Sequence, residues 1–181
     1  EITSSLFGYG SFDDLSVKNS ANALFYFALG LPAFSFIKIF SSFLFARHNT
    51  KIPFYFSVIS VIINIIISIY YFNKIGFIII PMATTISSWL NAILLLIYLT
   101  NKKYYSINSF FLYSLIKISL STAITSYIFY NLINFFSDNL SYNSEYKLVS
   151  IILLVIVTFI IYILTSILTK AFKISDIKLK Y

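Results

Sequence analysis

Five long apolar stretches, separated by short polar ones, limit what this chain can fold into. The stretches, of which the second is the shortest, lie at about residues 21–45, 54–72, 75–100, 107–136 and 148–169. Each has about the 20 residues that a helix needs to cross the hydrocarbon core of a bilayer. A chain in lipid must also satisfy its backbone hydrogen bonds internally, which a helix does. The sequence therefore predicts an all-α fold, a polytopic membrane helix bundle of about five transmembrane helices.

Composition supports a membrane location and excludes several classes of function. Hydrophobic residues make up 59% of the chain and charged residues 10%, whereas soluble domains are roughly half apolar and a quarter charged. The chain has no cysteine and a single histidine, His48, which excludes thiolate chemistry and histidine clusters. It also lacks a glycine-rich phosphate loop, a Ser/His/Asp set and paired carboxylates. We therefore expect no catalytic residue, no metal and no cofactor, in a protein that is not an enzyme.

The cations of the chain follow its polar stretches. The formal net charge is +7, but the lysines and the single arginine lie mostly between apolar spans rather than on one face of a soluble fold, which argues against nucleic acid as a partner. Eight of them fall on alternate loops and the C-terminal tail, and three fall on the opposite side. The positive-inside rule then predicts a cytoplasmic C-terminus and an outside Glu1. An outside start, an odd number of spans and no signal peptide predict further transmembrane segments before Glu1.

Two lysines, Lys38 and Lys117, lie inside apolar spans that contain no aspartate or glutamate. Intramembrane charges are costly and often functional, so each lysine needs water, carbonyls, a missing part of the chain or an anionic substrate as a partner. Lys38 precedes Arg47 by nine residues, about 13 Å of helix, so its stem can also snorkel toward the headgroups. Lys38, Arg47 and Lys117 are the candidates for contact with a substrate or its cavity.

A glycine and a proline interrupt the first span. Gly30 and Pro32 loosen the hydrogen-bond ladder of the helix and predict a kink or hinge. Proline kinks are also common in membrane helices without any function, so both interpretations stay open.

Polar side chains recur at helical spacing in the second and third spans. Asn64 and Ser68 lie four residues apart and share one face of the second span. The third span carries a polar stripe of Thr84, Thr85, Ser87, Ser88 and Asn91. Such residues most often hydrogen-bond between helices. Asn64, Ser68 and Thr84 are also a possible cation site of oxygen ligands, without a carboxylate.

Several short motifs, taken together, resemble a known family. They are LFGYGSF at 6–12, ALGLPAF at 28–34, Lys38, FARHNTKIP at 45–53 and SWLNA at 88–92. In order and spacing they resemble the C-terminal part of the MurJ/MviN lipid II flippases, of the multidrug/oligosaccharidyl-lipid/polysaccharide exporter superfamily. The resemblance covers residues 5–100 by motif and 101–181 by hydropathy and length. The chain departs from the family pattern at Asn49, where the family usually has aspartate, and at Ser68, where it often has asparagine.

The resemblance implies a fourteen-helix protein in which two six-helix lobes enclose a cavity and two extra C-terminal helices shape a groove for a lipid tail. On that map the chain looks like helices ten to fourteen. Residues 1–20 are then expected to be an outside segment, and 21–100 three helices that complete the second lobe. Residues 101–181 are expected to hold the two extra helices and a cytoplasmic tail.

The resemblance also implies a function and partners. It implies a flippase of the bacterial inner membrane that carries an undecaprenyl-pyrophosphate-linked peptidoglycan precursor to the outer leaflet by alternating access. The other expected partners are the lipid bilayer and the missing N-terminal part of the same protein. Two alternatives stay open: a related polysaccharide-precursor or drug exporter, and a non-transporting structural subunit of a membrane complex.

Overall fold

Five α-helices make up most of the chain that the computed structural model describes, which is residues 13–106, 108–137, 139–140 and 146–171. The helices are α1 (Asp14–Ala46), α2 (Lys51–Ile75), α3 (Ile79–Asn101), α4 (Ser109–Phe135) and α5 (Lys147–Leu168), with a 3₁₀ turn at Gly76–Ile78. The motif at 6–12 and the tail lysines beyond Ala171 lie outside the described residues. The predicted all-α helix bundle is confirmed.

Four helical stretches are long and apolar enough to cross a membrane, by length and composition. Three of them each contain a single helix. The remaining stretch, Lys51–Asn101, has 51 residues. It contains both α2 and α3, which fold back on each other at Gly76. The five predicted spans therefore correspond to the five helices in order.

The first helix starts earlier than its predicted span. α1 has 33 residues and runs through Pro32, so residues 14–20, predicted to belong to an outside segment, are helical. A helix of that length is about 50 Å long, whereas the hydrocarbon core of a bilayer is about 30 Å thick. A spanning α1 therefore tilts or projects beyond the core. Its start at Asp14 agrees with the preference of carboxylates for helix N-termini.

The second helix is longer than predicted. α2 has 25 residues against 23 in α3 and 22 in α5, so the shortest of the five apolar stretches does not give the shortest helix. Its first turn includes Pro53, which is tolerated there because the missing N–H has no partner within the helix. The helix ends at Gly76, whose φ of 75° and ψ of −153° lie in a region open essentially only to glycine.

Residues Leu15–Ser106 form one compact unit. Within it, α2 and α3 pack antiparallel after the turn at Gly76. Near the end remote from that turn, the rings of Phe56 and Tyr98 meet edge to face, with centroids 6.2 Å apart. The two helices therefore form a hairpin along their whole length.

α1 lies beside α3 in this unit and runs parallel to it. Near their C-terminal ends, Leu44 of α1 packs against Leu95 and Leu99 of α3, and all three are buried. The ring of Phe43 lies 6.3 Å from that of Tyr104, just past α3. The basic loops after α1 and α3 therefore lie at the same end of the unit, as the predicted alternation of spans requires.

The second compact unit contains α4 and α5, which form another antiparallel hairpin. Its two helices are joined by hydroxyl pairs: Ser121 and Thr169 at 2.7 Å between oxygens, and Thr125 and Thr165 at 3.1 Å. Small hydroxyl side chains let membrane helices approach closely and hydrogen-bond to each other. These four hydroxyl side chains thus contribute to the packing of α4 against α5.

Candidate functional site

The three residues of the predicted cation site, Asn64, Ser68 and Thr84, belong to one hydrogen-bonded group. The Nδ2 amide of Asn64 donates to Thr84 Oγ1 at 3.1 Å and to Ser87 Oγ at 3.3 Å. Ser68 Oγ donates to Asn64 Oδ1 at 3.4 Å. Side chains thus join α2 and α3 in the interior of the hairpin.

This group is part of a longer row of polar side chains between α2 and α3, which we call the polar seam. The polar seam consists of Ser57, Asn64 and Ser68 on α2 and Thr84, Ser87 and Asn91 on α3. Asn91 is 6% exposed. Its Nδ2 donates to Ser57 Oγ at 3.4 Å, and its Oδ1 has no hydrogen-bond partner among the described residues. The α3 members are three and four residues apart and so share one face of their helix.

The described contacts of the polar seam are hydrogen bonds between side chains of α2 and α3. Cation sites of the hard type use oxygen ligands and usually carboxylates, and the described residues contain no metal-holding group of three or more histidine, cysteine, aspartate or glutamate side chains. Asn64 directs its amide nitrogen, a donor, at two hydroxyl oxygens. A cation site at Asn64, Ser68 and Thr84 stays a prediction, and it requires the Asn64 amide to turn its oxygen toward Thr84.

Asn64→Leu should loosen the hairpin, because the change removes both side-chain bonds to α3. Hydrogen bonds between membrane helices contribute about 0.6 kcal/mol on average and at most about 1.7 kcal/mol, so we expect a loss of about 1–2 kcal/mol in the free energy of unfolding in detergent. The matched control is Asn131→Leu on α4, because within the described part of the chain Asn131 donates only to a carbonyl of its own helix, that of Tyr127 at 2.8 Å. Equal stability of the two variants would contradict the bridging role, and stabilisation by sodium that Asn64→Leu abolishes would support the cation site.

The two predicted hinge residues have different surroundings. Gly30 is buried, and a Cβ added there would lie 3.1 Å from Thr85 Oγ1 and 3.2 Å from the ring of Phe34. Pro32 is exposed. Gly30 therefore lets α1 approach α3, whereas Pro32 removes a backbone donor from α1.

Two side chains of α3 donate hydrogen bonds to the backbone of α1 around Gly30. Thr85 Oγ1 donates to the carbonyl oxygen of Tyr26 at 2.6 Å. Trp89 Nε1 donates to the carbonyl oxygen of Leu29 at 3.1 Å. The predicted polar stripe of α3 thus contacts two neighbouring helices. Its members in the polar seam face α2, and Thr85 faces α1. Hydropathy and spacing carry no signal for this contact, because its acceptors are backbone carbonyls.

The three candidate cations also differ in their surroundings. Lys38 is exposed on α1, and its side chain has no hydrogen-bond or ion-pair partner within the described chain. Arg47 follows α1 and stacks on two rings, its guanidinium carbon 4.9 Å from the centroid of Phe43 and 4.2 Å from that of Tyr104. Lys117 is exposed on α4, in the other unit. Arg47 therefore makes a cation–π contact with two rings, and contact of Lys38, Arg47 or Lys117 with a substrate stays a prediction.

A cavity of about 430 Å³ lies between α4 and α5. It is lined by Thr122, Thr125, Ser126, Phe129, Val155, Thr158, Phe159 and Tyr162. The hydroxyl groups of Thr122, Thr125 and Thr158 donate to carbonyls of their own helices. The wall therefore presents mainly methyl and ring surface, which suits an alkyl chain better than a polar headgroup.

These features together define a multi-pass α-helical membrane protein. The helices are long and apolar, hydroxyl and amide side chains pair between them, and the basic loops of the first unit lie at one end. The family model described as Lipid II flippase MurJ matches residues 1–153. The chain belongs to the MurJ lipid II flippase family, which confirms the resemblance carried by its motifs.

Relatives named "Probable lipid II flippase MurJ" match parts of the chain. That of Buchnera aphidicola subsp. Acyrthosiphon pisum is 32% identical over 135 residues, which cover 73% of this chain and 26% of the relative. That of Rickettsia prowazekii is 35% identical over 101 residues, 56% of this chain and 20% of the relative. That of Rhizobium meliloti is 37% identical over 90 residues, 50% of this chain and 17% of the relative. The chain thus spans about a quarter or less of the length of these relatives.

Proposed function

We propose that residues 1–181 are the C-terminal part of a lipid II flippase, corresponding to helices ten to fourteen of a fourteen-helix transporter. The observation that carries the proposal is the family match over residues 1–153, and the relatives named as probable lipid II flippases support it. The whole protein moves an undecaprenyl-pyrophosphate-linked peptidoglycan precursor from the cytoplasmic to the outer leaflet of the bacterial inner membrane. It is a transporter and not an enzyme.

Lys38 is the residue of this chain best suited to the anionic part of that substrate. It lies inside an apolar span, is exposed on α1, and has no carboxylate partner within the described residues. A lysine deep in a membrane helix is unfavourable by about 2.5–3.5 kcal/mol on insertion scales, and charge-assisted hydrogen bonds to a pyrophosphate offset that penalty. Alternating access carries the bound group across as the two lobes rock around it.

The cavity between α4 and α5 is the proposed site for part of the polyprenyl tail. Isoprene units have no hydrogen-bonding groups, so they favour a wall whose own polar groups are already bonded. The threonine hydroxyl groups of this cavity meet that requirement, because they donate to backbone carbonyls. Its ring-bearing lining residues, among them Phe129 and Phe159, add apolar contact area.

Complementation tests the proposed function. The complete reading frame that contains residues 1–181 is expressed in a strain depleted of its own lipid II flippase, and we expect restored growth together with transfer of lipid II to the outer leaflet. A protein that is present in the membrane in normal amounts but does not restore growth would overturn the proposal and favour a structural subunit. Transfer of another polyprenyl-linked glycan instead would favour a related exporter.

A cytoplasmic C-terminus is part of the proposal, and labelling of introduced cysteines tests it. Residues 1–181 contain no cysteine, so each introduced thiol is the only one in this part of the protein. Cysteines at Asn73 and Asn139 should react with an impermeant thiol reagent in intact cells. Cysteines at Asn49 and Asn101 should react only after permeabilisation. The reverse labelling pattern would invert the proposed orientation.

A further inference from the structure

The glycine–proline segment of α1, residues 26–32, receives two hydrogen bonds from α3. Thr85 Oγ1 donates to the Tyr26 carbonyl at 2.6 Å, and Trp89 Nε1 donates to the Leu29 carbonyl at 3.1 Å. Thr85 is only 8% exposed, so its bond is shielded from competing polar groups. Side-chain donors, in addition to apolar packing, therefore join this segment to α3.

Thr85 differs from the other threonines and serines of its helix. Hydroxyl side chains in helices commonly donate back to a carbonyl three or four residues earlier in the same helix. Thr84, Ser88 and Thr100 do so, with donor–acceptor distances of 2.9, 2.7 and 3.0 Å. Thr85 donates to α1 instead. The bond across the interface is therefore a specific feature of this position and not the default behaviour of a threonine in α3.

Gly30 makes the interhelical bond possible. A Cβ at this position would lie 3.1 Å from Thr85 Oγ1, so a larger residue would push the hydroxyl away from Tyr26. The ring of Phe36 also helps to position Trp89, because the centroids of the two rings lie 6.4 Å apart. The two acceptors are three residues apart and the two donors four apart, so each pair lies along one face of its helix.

Pro32 weakens the same segment from within. Proline lacks an N–H and crowds the carbonyl four residues earlier, which is that of Ala28. Polar groups of neighbouring helices commonly compensate for a proline in a membrane helix. Here the α3 donors bond to the carbonyls of Tyr26 and Leu29, on either side of Ala28. The two bonds therefore tie α1 to α3 beside the Ala28 carbonyl, which loses its intrahelical donor at Pro32.

We propose that Thr85 and Trp89 are positioning residues that latch the glycine–proline segment against α3, and that this latch opens when α1 bends at Pro32 during transport. The latch itself rests on the contacts described above, and its part in the transport cycle rests on the proposed function. With these two hydrogen bonds formed or broken, the glycine–proline segment has two discrete arrangements, bonded to α3 and released from it. Switching between discrete arrangements of packed elements is what conformational transitions of this kind require.

Hydrogen–deuterium exchange of the full-length protein in lipid nanodiscs tests the latch. Thr85→Val and Trp89→Phe each remove one donor and keep most of the side-chain shape. Peptides that cover residues 24–36 should exchange about three to eighteen times faster in either variant, as expected for the loss of one interhelical hydrogen bond. Thr85→Ser keeps the hydroxyl and should exchange like the wild type. Thr100→Val is the matched control, because it removes only bonds to its own helix and should leave the segment unchanged.

Lipid II transport by the same variants tests the role of the latch in the cycle. We expect Thr85→Val and Trp89→Phe to change the transport rate at equal protein amounts, and Thr100→Val to transport like the wild type. Unchanged exchange in both donor variants would show that there is no latch. Faster exchange with wild-type transport would exclude its role in the cycle. If the wild-type protein does not move lipid II, the proposed function fails, while the exchange measurement still decides whether the latch exists.

Discussion

Gly30→Leu is expected to lower the free energy of unfolding by about 1–3 kcal/mol, the usual effect of overpacking a filled site. A Cβ alone would already lie 3.1 Å from Thr85 Oγ1, and Thr85 cannot withdraw without losing its bond to Tyr26. The remaining atoms of a leucine side chain must therefore push α1 away from α3. The measurement is the unfolding temperature of the purified full-length protein in detergent, together with its amount in the membrane.

Two further variants separate overpacking from other effects of Gly30→Leu. Ala28→Leu is the matched control, because Ala28 is exposed on the same helix and the added side chain should have little effect there. Thr85→Ala, combined with Gly30→Leu, should recover part of the lost stability, because it removes the atom that the new side chain meets. Equal unfolding temperatures for Gly30→Leu and Ala28→Leu would mean that α1 and α3 are not in close contact at Gly30.

Lys38→Met is expected to lower transport by about tenfold or more without lowering the amount of protein in the membrane. Hydrogen bonds to charged groups contribute about 1.5–3 kcal/mol, so losing one to the substrate gives a change of that size. The charge itself is unfavourable in lipid by about 2.5–3.5 kcal/mol, so its removal should leave stability unchanged or raise it. Complementation of a flippase-depleted strain, with an immunoblot of the membrane fraction, measures both quantities.

Two lysine variants control this result. Lys38→Arg keeps the charge in a different geometry and should restore transport only in part. Lys18→Met changes a lysine that is exposed near the start of the same helix and should have no effect. Full growth with Lys38→Met would make Lys38 a boundary residue, whose stem reaches the headgroups and whose charge has no part in transport.

The middle of each helix could be predicted from hydropathy, but the ends could not. A bilayer imposes a minimum apolar length, so every predicted span has a helix at its centre. Beyond the hydrocarbon core, polar residues can continue a helix into water, and hydropathy no longer reports where it stops. α1 therefore begins at Asp14 and α2 at Lys51, in residues that an apolar pattern does not include.

Part of the candidate site could be predicted from the spacing of its residues along one helix. Asn64 and Ser68 are four residues apart, so their common face follows from helical geometry alone. Their partner Thr84 lies on the next helix, and the short turn at Gly76 makes a contact between neighbouring helices the simplest expectation. The contact of Arg47 with Tyr104 could not be predicted, because folding alone brings Tyr104 near the end of α1.

The class of protein, the order of its helices and its family follow from the amino-acid sequence, because apolar length and short motifs are local properties of a chain. That Thr84 faces α2 while Thr85 faces α1 follows from how the helices pack. Adjacent residues of a helix point about 100° apart, so one polar stripe can serve two neighbours. The carbonyls of Tyr26 and Leu29 are chemically the same as every other carbonyl of the backbone, and they become acceptors for α3 because the helices approach each other at Gly30.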